Sequence, residues 1–308
     1  MLEQPSRAAT AATAATAVTP VAAAAVVSPV RKRPRRRGRV LFWVSCGWLI
    51  LVIGSAALAD VLPLADPNKS LVGQPNSGPS LHTLLGTDQN GRDLLARIVF
   101  GGRVTLIVGF ASIAFGLLFG GLLGLTAGFY RGRAETVLMA LTDVLLSFPQ
   151  LVFLVGLVAF VGQTTFSITL GIGVLSIAPL ARVVRGATVV FSQREFVRAA
   201  RVLGATNTRI LFREVLPNVI PAAVSFSLIG VAVAIVAEGG LSFLGLSVNP
   251  SSPTWGGLIN SGQRALRDTP PHPHVALFPA LVLFLTVLAL NFAGDRLRSM
   301  FDVREAAL

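Results

Sequence analysis

Charged residues are scarce in this chain of 308 residues: Asp, Glu, Lys and Arg make up 13% of it, against about 25% in a typical soluble domain. Hydrophobic residues make up 53%. The composition therefore excludes an ordinary soluble enzyme and, over most of the chain, a disordered protein. Cysteine is almost missing as well. The single Cys46 lies in an apolar run, which excludes a disulfide framework and a cysteine-based metal site.

A phosphate-binding loop is also missing. The pattern G-x-x-x-x-G-K-[ST] occurs nowhere: Lys69-Ser70 is the only Lys-Ser or Lys-Thr pair, and Pro63 stands where the first glycine of the pattern would be. The chain therefore does not bind ATP phosphates itself, and any ATPase that drives it must be another polypeptide.

What the chain has in abundance is long apolar runs. Six of them are near the roughly 20 residues that a helix needs to cross a bilayer, and they cover residues 40–62, 104–130, 136–161, 166–189, 219–238 and 275–294. The sequence therefore predicts an all-α, polytopic membrane protein with six transmembrane helices. Three polar pieces remain between the runs, at residues 63–103, 190–218 and 239–274.

The positive charges predict the orientation. With both termini on the cytosolic side, 20 of the 26 Lys and Arg residues fall in internal segments and 6 in external ones, in agreement with the positive-inside rule. The loops 63–103 and 239–274 are then external, and the loop 190–218 is cytosolic. This explains the net charge of +12 without nucleic acid, which we do not expect as a partner.

Residues 1–38 are expected to form a disordered, basic cytosolic tail ahead of a membrane domain at 39–308. An Ala/Thr run at 8–29 precedes a basic cluster at 31–37, whereas a signal peptide has the opposite order. We interpret the cluster as a topology anchor at the membrane surface. Specific binding of anionic membrane lipids is the alternative.

The segment 190–218 has the pattern of two short helices. Residues 193–204 predict an amphipathic helix that ends at Gly204 as its C′ residue, with Phe196, Ala199, Ala200 and Leu203 on one apolar stripe. A second helix is predicted from Thr206 to Leu216, ended by Pro217. The small residues favour docking into a groove of a partner protein over lying on the lipid surface.

Two features within the apolar and external segments have alternative interpretations. Asp143 and Pro149, in the third apolar run, are candidate pathway residues, since an acid within a span can line a solute path or relay protons. We prefer the alternative of an interior residue bonded to a neighbouring helix or placed near the inner interface. His272 and His274 stand two apart in an external loop and are interpreted as exposed loop residues, not metal ligands.

The segment from Arg198 to Pro217 reads R-A-A-x3-G-x9-E-x-L-P. It resembles the EAA loop of ABC importer permeases, E-A-A-x3-G-x9-I-x-L-P, with Arg198 in place of Glu and Glu214 in place of Ile. This resemblance implies that the segment binds the ATPase through Glu195, Phe196, Arg198, Ala199, Ala200, Leu203, Gly204, Leu216 and Pro217. Glu195, one turn earlier, offers the carboxylate that Arg198 lacks.

A second resemblance is narrower. The stretches Leu84–Leu106 (LLGTDQNGRDLLARIVFGGRVTL) and Ala237–Ile259 are similar to permeases of the peptide/nickel group, especially the C-type subunit of dipeptide and oligopeptide importers. The resemblance implies a type I ABC importer permease fold for 39–308 in the cytoplasmic membrane, and alternating access that translocates dipeptides or oligopeptides. It also implies a B-type permease as heterodimer partner, ATPase subunits or a fused ATPase, and an extracytoplasmic solute-binding protein. ATP and Mg would be bound by the ATPases, with no catalytic residue, metal or cofactor in this chain.

The first external loop carries turn-forming residues and a local charge cluster. The resemblance suggests that it contacts the binding protein through Gly86, Thr87, Asp88, Gly91, Arg92 and Asp93. The alternative is local pairing of Asp88 and Asp93 with Arg92. For the whole chain, the alternatives are a nickel or other small-solute permease of the same group, a proton-coupled carrier, and a membrane-anchored regulatory or assembly protein.

Overall fold

The structure, a computed structural model, describes residues 35–246, 248 and 252–305. In this part of the chain the backbone forms ten α-helices and one π-helical turn and contains no strand, which confirms the all-α prediction. The helices are α1 (Arg35–Ala57), α2 (Leu94–Tyr130), α3 (Gly132–Ser147), α4 (Gln150–Val161), α5 (Thr165–Phe191), α6 (Glu195–Val202), α7 (Asn207–Arg209), α8 (Leu216–Phe243), α9 (Trp255–Ala265) and α10 (His274–Glu305), with the π turn at Ile210–Val215. Residues 1–34, most of the predicted tail, lie outside the described residues.

Five apolar helices are long enough to cross a membrane, and a bent pair, α3 and α4, makes a sixth span if it is counted as one. The third predicted run, 136–161, is therefore not one straight helix, because its two parts meet at 80°. The bend lies at Phe148 and Pro149. Phe148 has extended backbone angles (φ −82°, ψ 131°), as expected for a residue before proline.

Helix α2 has 37 residues and is about 55 Å long, well beyond the roughly 30 Å of a bilayer's hydrocarbon core. It starts at Leu94, earlier than the predicted 104. The reason is a cap: the carboxylate of Asp93 accepts a hydrogen bond from the N–H of Ala96 at 3.0 Å. The predicted external loop 63–103 accordingly ends at Asp93.

Helices α2 and α5 run parallel with their backbones in close contact. Four glycines of α2, spaced four residues apart, face α5: Gly116, Gly120, Gly124 and Gly128. A Cβ atom on Gly120 would overlap the carbonyl oxygen of Ile177. Small residues allow membrane helices to approach in this way, and this pair forms the centre of the bundle.

The helix predicted to end at Pro217 continues instead. Helix α7, the π turn and α8 form one span from Asn207 to Phe243. Proline lacks the N–H that an α-helix would use, and the wider π turn just before it accommodates the change, with the N–H of Leu216 donating to the carbonyl of Leu211.

The bundle has two distinct ends. We call the end that carries α6 the α6 end, and the opposite end, with residues 58–93 and α9, the loop end. Helix α9 forms within the predicted external loop 239–274. Its Trp255 is buried, and the indole Nε1–H donates to the carbonyl of Ile98 at 2.9 Å, so α9 is anchored on α2.

Candidate functional site

Helix α6 is a short, well-terminated element. It spans Glu195–Val202, within the predicted 193–204. At its end the N–H of Gly204 donates to the carbonyl of Arg201, and the N–H of Ala205 donates to that of Ala200, each at 3.0 Å. These two bonds form a Schellman motif, and Gly204 has the left-handed φ of +80° that this motif requires. The predicted C′ role of Gly204 is confirmed.

The face by which α6 packs differs from the predicted stripe. Val197 is fully buried and packs in a hydrophobic cluster with residues from α2, α5, the π turn and α8, among them Leu125, Phe129 and Ile210. Phe196 and Ala199 of the predicted stripe point outward instead. The sequence did not reveal Val197, because an eight-residue helix with apolar residues on both sides has no unique inward face.

The outward face of α6 and its following turn is apolar with a basic border. Val202 and Leu203 are 88% and 86% exposed. Arg198 and Arg201 line a polar cavity of about 330 Å³ together with Phe129, Arg131, Ser192 and Gln193. Among the described residues, neither Arg198 nor Glu195 makes an ion pair closer than 4 Å.

The remaining residues predicted for this surface are Ala200 on α6 and Leu216 and Pro217 on the continuous span. Ala200 and Leu216 are half-buried and pack against the cluster around Val197, whereas Pro217 is exposed. Sequence reasoning did not identify Ile210, Leu211 and Val215, which are buried in the π turn and anchor this segment to the bundle. Their spacing was read as that of a separate helix.

Asp143 has a partner that the sequence did not show. Its carboxylate lies 2.6 Å from the guanidinium of Arg182 on α5. Two turns toward the α6 end, Glu135 of α3 pairs with Arg185 of α5. Both side chains of the Asp143–Arg182 pair are more than half exposed in this single chain. Charged residues on membrane helices face protein or water, not lipid. The surface that carries Asp143 and Arg182 therefore contacts either a partner protein or water.

At the loop end, Asp88 organises the turn before α2. Its carboxylate accepts hydrogen bonds from the backbone N–H groups of Asn90 (2.8 Å) and Arg92 (3.0 Å). It also accepts from the side chains of Arg92 (2.8 Å) and Arg97 (2.9 Å). Sequence reasoning missed Arg97, which lies on α2 and was assigned to a loop.

The other residues predicted to contact a binding protein serve the same turn. Gly86, Thr87, Asp88 and Gly91 are buried. Gly86 and Gly91 have positive φ angles of 81° and 70°, and Thr87 donates to the carbonyl of Gln74 at 2.5 Å. The local-pairing alternative therefore describes Asp88 and Arg92, while Asp93 caps α2. Buried side chains cannot form the outer surface of the loop.

A second buried acid, Glu238, lies near the loop end of the bundle. It is fully buried on α8. The hydroxyl of Ser242 donates to its carboxylate at 2.6 Å, and that of Thr105 on α2 donates at 3.3 Å. Thr105 also accepts from the N–H of Trp255 at 3.2 Å, so Glu238 links α8, α2 and α9.

The described residues contain no group of three or more His, Cys, Asp or Glu side chains that could hold a metal ion. His272 and His274 contact each other ring to ring, with centroids 6.1 Å apart. Cys46 is a free, half-buried cysteine.

Residues 116–306 match the family described as "Binding-protein-dependent transport system inner membrane component". The chain belongs to this family. It is 38% identical over 280 residues to the glutathione transport system permease protein GsiD of Pectobacterium atrosepticum, covering 90% of this chain and 92% of that protein. It is 39% identical over 227 residues to GsiD of Escherichia coli, covering 74% of each chain. The chain is therefore a multi-pass inner-membrane permease of an ABC importer, of the peptide/nickel type.

Among solved structures, an inward-facing form of the MetNI methionine ABC transporter is similar with a TM-score of 0.54 and 22% identity. The similarity covers 67% of this chain and 95% of that one, and it confirms the predicted type I importer permease fold. A permease of this kind works with ATPase subunits, a permease partner and a binding protein. The relatives described above are permease proteins of transport systems.

Proposed function

We propose that this permease translocates small peptides, in the size range from dipeptides to short oligopeptides, across the cytoplasmic membrane. Support comes from the relatives, which are named for the transport of glutathione, a tripeptide. The Asp143–Arg182 pair supports a path for solutes that carry both charges, because it presents one carboxylate and one guanidinium on an exposed helix face. ATP and Mg belong to the partner ATPases, and this chain has no catalytic role.

The coupling surface is the α6 segment. The observation that carries this assignment is the exposed pair Val202 and Leu203, held on a helix whose opposite side is locked into the bundle by Val197. A rigid helix that presents an apolar, arginine-bordered face fits a groove on a partner protein. Closure of the ATPases would move α6, and with it the spans, between inward- and outward-open states.

The α6 end faces the cytosol in this proposal. Helix α1 begins and α10 ends near this end, and most of the basic residues lie there, as the positive-inside rule requires. The partner permease is of the B type. The loop end then faces the extracytoplasmic binding protein, with residues other than the buried turn residues forming the contact.

The test is uptake by the complete importer in proteoliposomes loaded with ATP. We expect ATP-dependent uptake of glutathione and of dialanine, with competition between them, and no competition by nickel. Leu203→Asp should abolish uptake and the stimulation of ATP hydrolysis. Leu203→Met is the matched control, because it keeps an apolar side chain at the same position, which is 86% exposed. Full coupling in the Leu203→Asp complex would contradict the coupling role of α6. Uptake of nickel but not of peptide would contradict the proposed solute.

A further inference from the structure

A small polar cavity lies beside the Asp88 cluster at the loop end. Its volume is about 230 Å³. None of the described lining residues is acidic, and six of them are polar: Arg92, Arg97, Gln163, Ser252, Thr254 and Ser261. The wall of this cavity is therefore rich in hydrogen-bond donors and carries positive charge.

Arg97 is the most informative residue of the wall. Its side chain is only 8% exposed, and it donates from Nη1 to Asp88 at 2.9 Å. Its Nε–H has no hydrogen-bond partner among the described residues. A buried N–H of a charged group is costly to leave unpaired, so this guanidinium retains donor capacity that a bound acceptor can use.

The charges around Arg97 do not balance. Among the described residues, Asp88 is the one carboxylate that pairs with Arg97, and it is shared with Arg92. Two guanidinium groups and one carboxylate leave one net positive charge in a poorly solvated place. An anion with two acceptor oxygens compensates both the charge and the missing acceptor, since guanidinium groups bind carboxylates in a forked geometry.

We propose that this cavity binds the carboxylate group of a solute, with Arg97 as the main donor and Gln163 at its entrance. Gln163 is exposed and lies two residues before α5, whereas Arg97, on the same cavity wall, is buried. The volume accommodates a carboxylate with a small substituent. Anion binding follows from the cavity alone, but the choice of a peptide carboxylate rests on the proposed function.

The test is a titration of the full-length chain in lipid nanodiscs, followed by calorimetry. The probes are acetate, glycylglycine and glycylglycinamide, in which the carboxylate is replaced by a neutral amide. We expect saturable binding of glycylglycine and acetate, and binding of the amide that is weaker by about tenfold or more, the size of one lost charge-assisted contact.

The informative variant is Gln163→Glu, which places a competing carboxylate at the entrance without touching the Asp88–Arg97 contact. It should weaken glycylglycine binding by about tenfold or more, whereas Gln163→Ala, the control, should change it little. Because Gln163 is exposed, neither variant should impair folding. A second variant, Arg97→Lys, keeps the charge but lacks the fork, and should also weaken binding.

Equal binding of glycylglycine and glycylglycinamide, or unchanged binding in Gln163→Glu, would overturn the proposal. Binding of acetate but not of glycylglycine would overturn the assignment to a peptide carboxylate. The two proposals can fail separately. Intact carboxylate binding together with absent peptide uptake by the complete importer would contradict the transport assignment and not this site.

Discussion

An alanine at Gly120 would place a methyl group in the closest contact between α2 and α5. Its Cβ would overlap the carbonyl oxygen of Ile177 and lie 3.1 Å from the backbone nitrogen of Ala181. These are backbone atoms, so no side chain can rotate away and the helices must separate. At Gly121, the adjacent residue, the nearest atom to a new Cβ is Cδ1 of Leu117 at 3.9 Å, an ordinary van der Waals distance.

The comparison of Gly120→Ala with Gly121→Ala isolates the packing cost. Both substitutions gain the same helix propensity, about 1 kcal/mol, so this contribution cancels in the difference. Overpacking costs about 1–3 kcal/mol, and we expect Gly120→Ala to be less stable than Gly121→Ala by this amount. The helix shift should also reach α6, because α2 and α5 both contribute to the cluster around Val197.

The assay is equilibrium unfolding of the two purified variants in mixed micelles, with increasing sodium dodecyl sulfate and circular dichroism as the signal. The free energies of unfolding are compared at the same detergent composition. Equal stability of the two variants would show that α2 and α5 are not in backbone contact, and the arrangement of the whole bundle would then be wrong.

Two further predictions concern the α6 end and the exposed ion pair. Gly204→Ala strains the left-handed turn by about 1–2 kcal/mol and should lower the coupling of ATP hydrolysis to uptake. Gly204→Trp also alters the docking face and should abolish uptake while membrane insertion, measured by fractionation, stays intact. Asp143→Asn and Arg182→Gln should each reduce peptide uptake, with the double variant no worse than the poorer single variant, because both break one contact. Additive losses would contradict the shared contact. ATP-independent uptake that Asp143→Asn abolishes would favour a proton-coupled carrier.

The sequence predicted features that depend on local chemistry. The apolar runs gave the spans because a bilayer requires about 20 apolar residues, and Gly204 was identified as a helix terminator because the left-handed turn favours glycine. The predicted ends of the helices were less accurate where a capping residue or a π turn determines them. Asp93 starts α2 early, and the π turn carries the last span through Pro217.

Features that depend on long-range contacts were not predictable from one sequence. Arg182 lies 39 residues from Asp143, and no local pattern relates the two residues. Arg97 was placed in a loop, so its position behind Asp88 could not be inferred. Helix α6 has apolar residues on two sides, and only one side packs against α2 and α5. The arrangement of the spans decides which side this is, and the eight residues of the helix do not.

The two ends of the bundle are connected by one continuous element. The span from Asn207 to Phe243 begins in the cluster that holds Val197 of α6 and ends beside Glu238, whose hydroxyl partners fix α9. The cavity at Arg97 borders α9 through Leu258 and Ser261. If α6 moves with the ATPases, a rigid span of this kind displaces α9 against α2, and the wall of the carboxylate site changes with it. Binding of ATP at one end should then alter glycylglycine affinity at the other, and by reciprocity glycylglycine should alter the affinity for ATP by the same factor.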